Sequence, residues 1–353
     1  MTRSDILYEA LQKREIPALN GFRAIAVGAV VGYHSLHHWF PGRLGVLVFF
    51  VLSGFLITWL LLKEADSTGT VSLRGFYRRR ALRIFPAFYV FWILQVLLIS
   101  PVPWASVLFC AAYLGNYYMG LVLHDATTVM SHTWSLAVEE QFYLLWPAIF
   151  VWQRRNLKAL AFCLAVGILG VQILRLTLWR LGTNGWYLGT AFETRCDALA
   201  IGCFSAVILW FRPALPPWFF SSWIARLAIF VLVAATYVEA TDPMACLLYW
   251  FGISAVATAV LILQGVAYSD HPSFRWLNHP VMQYLGRISY PIYLYHMLVQ
   301  SLVHRLPLGF VGKGVIAVVG LVAIASASYA WIEKPFLKLK TRRPATKPAH
   351  AIA

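Results

Sequence analysis

The chain has 353 residues, 60% of them hydrophobic and 12% charged, about half the ~25% charge of an average soluble domain. A single aqueous core of this length would need far more polar surface than these residues supply, whereas a chain in lipid meets a solvent as apolar as itself. The formal net charge of +15 does not make a nucleic-acid binder: most basic residues fall in short gaps between long apolar runs, as cytoplasmic loops require, and no nucleic-acid motif accompanies them.

Residues 1–20 mix Arg3, Asp5, Glu9, Lys13, Arg14 and Glu15 with a few leucines. They lack the apolar core of a signal peptide and read as a cytoplasmic segment, an interfacial helix being one form for it. Spanning a ~30 Å hydrocarbon layer takes about 20 helical residues. Runs near that length recur at 22–39, 45–62, 84–100, 134–152, 160–178, 198–211, 223–238, 245–266, 281–302 and 315–331. The fold class is therefore all-α and polytopic, with about ten transmembrane helices. A further stretch, 104–119, is short and closes in the polar-aromatic string Gly115, Asn116, Tyr117, Tyr118. If it does not cross and both termini are cytoplasmic, the basic clusters at 74–83, 154–158 and 334–347 all fall inside. If it crosses, Arg154, Arg155 and Lys158 move outside, so it is expected to be re-entrant or to lie on the outer surface. The membrane domain is placed at 21–336, followed by a basic tail, 337–353, expected to be disordered and to touch anionic headgroups. Cys110, Cys163, Cys196, Cys203 and Cys246 have neither CxxC nor zinc-finger spacing; they read as thiols, and no metal site is expected.

An ionisable side chain inside a span costs roughly 2.5–3.5 kcal/mol on insertion scales and needs a reason. The run 22–39 carries Arg23 and, eleven residues or about 16 Å further along a helix, His34. Eleven residues is close to three turns, so both face one way. Taken singly, Arg23 also reads as a topological anchor and His34 as a hydrogen-bonded interior histidine; His37 and His38 read as interfacial. In the run 134–152, Glu139 and Glu140 begin about two turns in, and His132, Ser135 and Glu139 share a face. An ion pair locking two helices is the plainer use of either glutamate. Arg78, Arg79, Arg80 and Arg83 exceed what topology needs; planar guanidinium forks suit phosphates, whether of a polyphosphorylated donor or of anionic lipid. Tyr293, His296, Gln300 and His304 form a polar stripe, either a cavity wall or a helix interface, and Pro291 is expected to kink their helix. Arg195 and Asp197 flank Cys196 and read as a salt bridge or a smaller polar site.

Imidazole and carboxylate under the outer face, with an arginine patch on the inner face, match acyl transfer to a hydroxyl, which needs a base near neutral pKa and donors for an oxyanion. A proton-coupled exporter of a glycolipid or small solute lines its path with the same residue types. A non-catalytic scaffold for envelope assembly is a third reading.

Seven blocks carry a resemblance: "LNGFRAIAVGAVVGYHS" (19–35), "GVLVFFVLSGFLIT" (45–58), "FYRRRALRIFPAFY" (76–89), "SHTWSLAVEEQFYLLWP" (131–147), "TRCDALAIG" (194–202), "YLGRISYPIYLYH" (284–296) and "IEKPF" (332–336). In this order they resemble acyltransferase family 3, ten-helix membrane O-acyltransferases. Members acylate hydroxyls, often with acetyl, on envelope polysaccharide, lipopolysaccharide, peptidoglycan, lipid-linked sugars or macrolides. The resemblance implies acyl-coenzyme A, with a lean to acetyl-coenzyme A, as donor; a carbohydrate or glycolipid acceptor; and a place in a bacterial inner (plasma) membrane. The family's basic-residue, ten-residue gap, histidine motif falls on Arg23 and His34, its Arg-x-x-Arg on Arg80 and Arg83, and its glutamate on Glu139 or Glu140, with Glu139 preferred. His34 is then the expected base or acyl relay, Arg23 orients the thioester, Glu139 tunes His34 or positions the acceptor, Arg78 and Arg79 assist the phosphate site, and His132, Ser135, Tyr293 and His296 line the substrate cavity. The family's usual acidic residue after Gly45-Val46 is Leu47 here, so any role of that carboxylate does not carry over. Some relatives carry an extracytoplasmic esterase-like domain after the last helix; such a partner is expected to be separate here.

Overall fold

The structure is a computed structural model that describes residues 2–13, 15–35, 40–99, 103–124 and 130–339. His37, His38 and most of the basic tail lie outside them. The described residues form helices and no strand. Ten long helices carry the fold: α1 (Pro17–Ser35), α2 (Gly42–Thr68), α3 (Leu73–Leu98), α4 (Trp134–Gln153), α5 (Leu157–Arg180), α6 (Asp197–Trp210), α7 (Ser222–Thr241), α8 (Phe251–Ala267), α9 (Ser289–His304) and α10 (Phe310–Ser328). They match the ten apolar runs one for one, but only six stretches are long and apolar enough to cross a membrane by length and composition, or seven if Arg3–Gln12 and α1 count as one bent span. The helices that miss that standard have identifiable reasons. α6 and α9 have 14 and 16 residues, while α1 and α4 are made more polar by Asn20, Arg23 and His34 and by Glu139, Glu140 and Gln141.

The stretch 104–119 breaks into short pieces. Helix Trp104–Ala111 has eight residues, about 12 Å of rise, and Tyr113 takes a left-handed backbone (φ +55°) before helix Gly115–Tyr118 and a π-turn at Met119–Leu123. None of these pieces is long enough to cross. The expected span 281–302 is likewise two helices, Pro280–Arg287 and α9, separated at Ile288. Pro291 does not kink it. It sits in the first turn of α9, where a missing N–H interrupts no intrahelical bond.

The amino-terminal helix Arg3–Gln12 begins with a capping box between Thr2 and Asp5, which satisfies two otherwise orphaned amides. Leu7 and Leu11 are fully buried, Trp59 Nε1 of α2 donates to the Leu11 carbonyl (2.9 Å) and Lys63 Nζ to the Gln12 carbonyl (2.8 Å). This segment docks on the protein rather than lying free at an interface.

Side chains such as Leu97, Trp152, Val311 and Trp331 are 70–80% exposed, a surface that only hydrocarbon solvates well. α2 is instead mostly buried at the centre of the bundle. It packs on α6 at backbone distance: a Cβ on Gly54 would stand 1.9 Å from the Leu199 carbonyl oxygen, and one on Gly202 would stand 2.2 Å from that of Val51. Small residues let helices approach where lipid offers no hydrophobic drive to hold them together. Gly202→Val should therefore force α2 and α6 apart, at a cost of about 1–3 kcal/mol or more for overpacking. The check is a lower melting temperature in detergent, with Gly167→Ala as a control because no atom lies within 4 Å of a Cβ there.

Candidate active site

A cavity of about 450 Å³ opens among α1, α2, α3, α4 and α9, with walls from the segment before α1 and from the π-turn Tyr329–Glu333. Such a volume lies within the ~300–1,000 Å³ of small-molecule sites. Arg23 from α1 and Arg80 and Arg83 from α3 reach it, with Glu139 and Glu140 from α4 on the same cavity. Arg23 Nη1 donates to Asn20 Oδ1 (3.0 Å), and Asn20 Nδ2 to Gln283 Oε1 (3.2 Å). The Asn20 backbone meets Gly286 so closely that a Cβ there would fall 2.0 Å from the Asn20 oxygen. The Arg80 guanidinium carbon lies over the Tyr143 ring, 3.6 Å from its centroid, a cation–π contact. Glu139 Oε1 accepts from Ser53 Oγ of α2 (2.8 Å).

The structure divides the expected site residues into groups. Arg23, Arg80, Arg83, Glu139, Ser135 and Tyr293 share the cavity. Arg78 and Arg79 do not join them: Arg79 pairs with Glu64 (2.8 Å), and Arg78 is exposed with its nearest hydrogen bond at the Leu339 carbonyl (3.4 Å). Arg78 lies on another face of the helix from Arg80 and Arg83, whereas Arg79 shares a face with Arg83 but is held away by Glu64. His34 is absent from the cavity lining and exposed, so it does not converge with Glu139 as expected from sequence. The cavity ends at Ser135 and Tyr293, and His132 and His296 stand behind that wall rather than lining it. Tyr293 OH donates to the His132 carbonyl (2.8 Å) and meets Ser135 Oγ at 2.6 Å. Beyond it, His296 contacts His132 and His34, with ring centroids 4.8 and 4.9 Å apart. His132 shares no cavity face with Glu139 because it belongs to the 3₁₀ turn Ser131–Thr133 before α4, not to the helix itself.

The polar stripe of α9 is both wall and interface. Tyr293 faces the cavity, Gln300 donates to Ser35 Oγ of α1 (2.9 Å), and His304 is exposed. Sequence reading passed over Ser53, Tyr143 and Glu333. Tyr143 stands one turn from Glu139, a signal available in the i, i+4 spacing. Glu333 belongs to "IEKPF", was given no role, and is 4% exposed with Oε1 lacking a hydrogen bond.

Asp197 does not pair with Arg195. It binds Arg175 Nη2 (2.6 Å), and both side chains are essentially buried; Arg175 also donates to the Thr194 carbonyl (3.0 Å) and to Gln172 Oε1 (2.7 Å). Arg195 instead lies over Phe251, 3.6 Å from the ring centroid. This charged cluster ties α5 to α6 away from the cavity. All five cysteines are free thiols.

The profile of the acyltransferase domain of acyltransferase family 3 matches residues 16–331. The chain belongs to this family. Among curated relatives, a putative O-acetyltransferase of Staphylococcus aureus strain COL is 32% identical over 92% of this chain and 58% of its own length. The peptidoglycan O-acetyltransferase OatA of Listeria monocytogenes is 28% identical over 92% of this chain and 56% of its own. The putative peptidoglycan O-acetyltransferase YrhL of Bacillus subtilis is 31% identical over 91% and 55%. The chain thus spans little more than half the length of the curated relatives it matches. No solved structure matches it significantly.

In this acyltransferase family 3 chain, breaking the Arg175–Asp197 pair one-sidedly leaves a buried charge, so Asp197→Ala should cost about 3–5 kcal/mol. Replacing both partners, Arg175→Met with Asp197→Leu, should cost less than that single change. Thermal unfolding of the purified variants reads the difference.

Proposed function

We propose that the protein is a membrane O-acyltransferase that takes an acyl group, acetyl in the first instance, from acyl-coenzyme A on the cytoplasmic side and delivers it to a carbohydrate hydroxyl on the other. One observation carries this reading: Arg23, Arg80, Arg83 and Glu139 share a single cavity, and behind its far wall His296 packs against His34, the histidine that the family motif marks. Ten crossings with both termini cytoplasmic would place the cavity mouth inside, beside the basic clusters. The membrane is then the bacterial inner membrane and the acceptor an envelope glycan or glycolipid. Peptidoglycan is the first acceptor to test, because two relatives are named for it. Any esterase-like partner outside would act on the acyl group after this step.

The cavity suits the donor on its own residues. Arg80 and Arg83 supply forked donors for a diphosphate, Arg80 Nε is buried with no hydrogen-bond partner, and Glu333 Oε1 is an unmatched acceptor for an N–H or O–H of the pantetheine arm. Arg23, anchored by Asn20, lies deeper along α1 toward His34 and would orient the thioester end. Ser53 holds Glu139 in one rotamer, where it positions a donor or acceptor hydroxyl.

His34 has the tautomer a base needs. Its Nδ1 lies 2.9 Å from the Val30 carbonyl, which can only accept, so the neutral ring carries its proton on Nδ1 and Nε2 is the basic nitrogen. In the transfer, Nε2 takes the acceptor's hydroxyl proton as its oxygen attacks the acyl carbonyl; the carbon–sulfur bond then breaks and coenzyme A leaves.

Arg80→Ala with Arg83→Ala should weaken coenzyme A binding at least tenfold, since each charge-assisted hydrogen bond is worth about 1.5–3 kcal/mol and about 1.4 kcal/mol is tenfold. Titration calorimetry of the detergent-purified protein measures it, and unchanged affinity would remove the donor site from these arginines. His34→Ala should abolish acyl transfer while leaving that affinity intact. An exporter would instead depend on the proton gradient and run without any thioester; a scaffold would tolerate the loss of His34.

A further inference from the structure

Acyl transfer across a membrane raises a problem of proton balance that the proposed function leaves open, and the following rests on that reading. When a thioester inside acylates a hydroxyl outside, the hydroxyl proton is left outside and the coenzyme A thiolate is left inside. Unless a proton returns, each turnover moves one positive charge outward and acidifies the outer compartment by one proton.

Between the two sides stand three imidazoles with one feature in common. His34 Nδ1 lies 2.9 Å from the Val30 carbonyl, His296 Nδ1 2.6 Å from the Tyr293 carbonyl, and His132 Nε2 3.2 Å from the Leu294 carbonyl. A carbonyl only accepts, so each contact places a ring proton on the nitrogen named, and in His296 the opposite nitrogen is the base of the neutral ring. His296 is the middle ring, 4.9 Å from His34 and 4.8 Å from His132 between centroids. It is 1% exposed, and its Nε2 has no hydrogen-bond partner among the described residues. A buried nitrogen kept unmatched is costly and points to use. On the cavity side the row meets the Tyr293–Ser135 hydroxyl pair, with Glu139 one turn below Ser135 on α4; the Tyr293 hydroxyl is bonded to the His132 carbonyl.

We propose that His296 returns the acceptor's proton, receiving it from His34 and passing it, with His132 as the neighbouring base, across the Tyr293–Ser135 wall, whose Tyr293 ring stands 5.5 Å from its own, to the cavity, where it ends on the coenzyme A sulfur. The acceptor O–H bond breaks as its oxygen–acyl bond forms, the carbon–sulfur bond breaks, and an S–H bond forms. No electron is gained or lost, and no net charge crosses, because the proton moves inward as the acyl group moves outward. His296 touches neither substrate; it acts through His34.

The test uses sealed inside-out membrane vesicles from a host that makes the full chain and its own envelope glycans, with a pH-sensitive dye in the lumen. Acetyl-coenzyme A labelled in the acetyl group is added to the medium. Wild type should label glycan without acidifying the lumen. His296→Phe, which keeps an aromatic ring but cannot carry a proton, should label glycan at least tenfold more slowly and release one lumenal proton for each acetyl still transferred. His296→Gln should behave the same way, and both variants should bind coenzyme A as wild type does, which separates a lost relay from a lost fold. Lumenal acidification by wild type in step with labelling, or wild-type rates in both variants, would overturn the relay and leave the acyltransferase reading standing. Wild-type vesicles that label no glycan would overturn that reading and the relay with it.

Discussion

A charged side chain cannot face hydrocarbon, so every ionisable group in this bundle depends on neighbouring helices that come close enough to exclude lipid. That closeness is set by glycine. α2 and α6 touch at Gly54 and Gly202, and Gly286 of the helix Pro280–Arg287 presses against Asn20, the same Asn20 that accepts from Arg23. Steric permission at one position and electrostatic anchoring at the next belong to a single contact. Burial of a guanidinium near α1 is possible because a missing Cβ brings Pro280–Arg287 within reach of it.

The site built on this frame is divided. The cavity gathers cations and carboxylates around Arg23, Arg80, Arg83 and Glu139, while His34 stands past a wall of Tyr293 and Ser135. Chemistry that links two compartments gains from such a division, since an open passage would let water reach the thioester and ions cross the bilayer. On the proposed function the reacting groups must still meet, so the wall is where motion would be required. Its hydrogen bonds, 2.6 and 2.8 Å long, are few enough to break and re-form within a turnover.

Much of this could be read from the chain itself, for reasons that are physical. The apolar runs are helical, the run 281–302 as two helices, because a helix satisfies its own backbone and lipid permits little else. Arg23 and Glu139 stand out because charge in a span needs a cause, Arg80 and Arg83 because arginines are denser there than topology needs. What periodicity could not supply was the break at Ile288, where nothing but a local backbone turn (φ −95°, ψ 12°) separates two helices. Nor could it tell that His132 precedes α4 in a tighter turn, so that a seven-residue spacing to Glu139 does not align them. His34 was expected to be buried and is exposed; the rule that polar groups in spans face inward fails at the last turn of a helix, where the end meets the boundary. Arg78 and Arg79 misled because density of charge was visible in the string and direction was not.

The cavity takes part of its wall from Lys13 and part from Glu333 and Leu337, residues near opposite limits of the described chain. During synthesis the arginines of α1 and α3 enter the bilayer long before the carboxylate that completes their surroundings has been translated. Until the last helix arrives, the nascent protein holds cations without a finished enclosure. A half-made chain therefore has no complete pocket in which to hold a ligand.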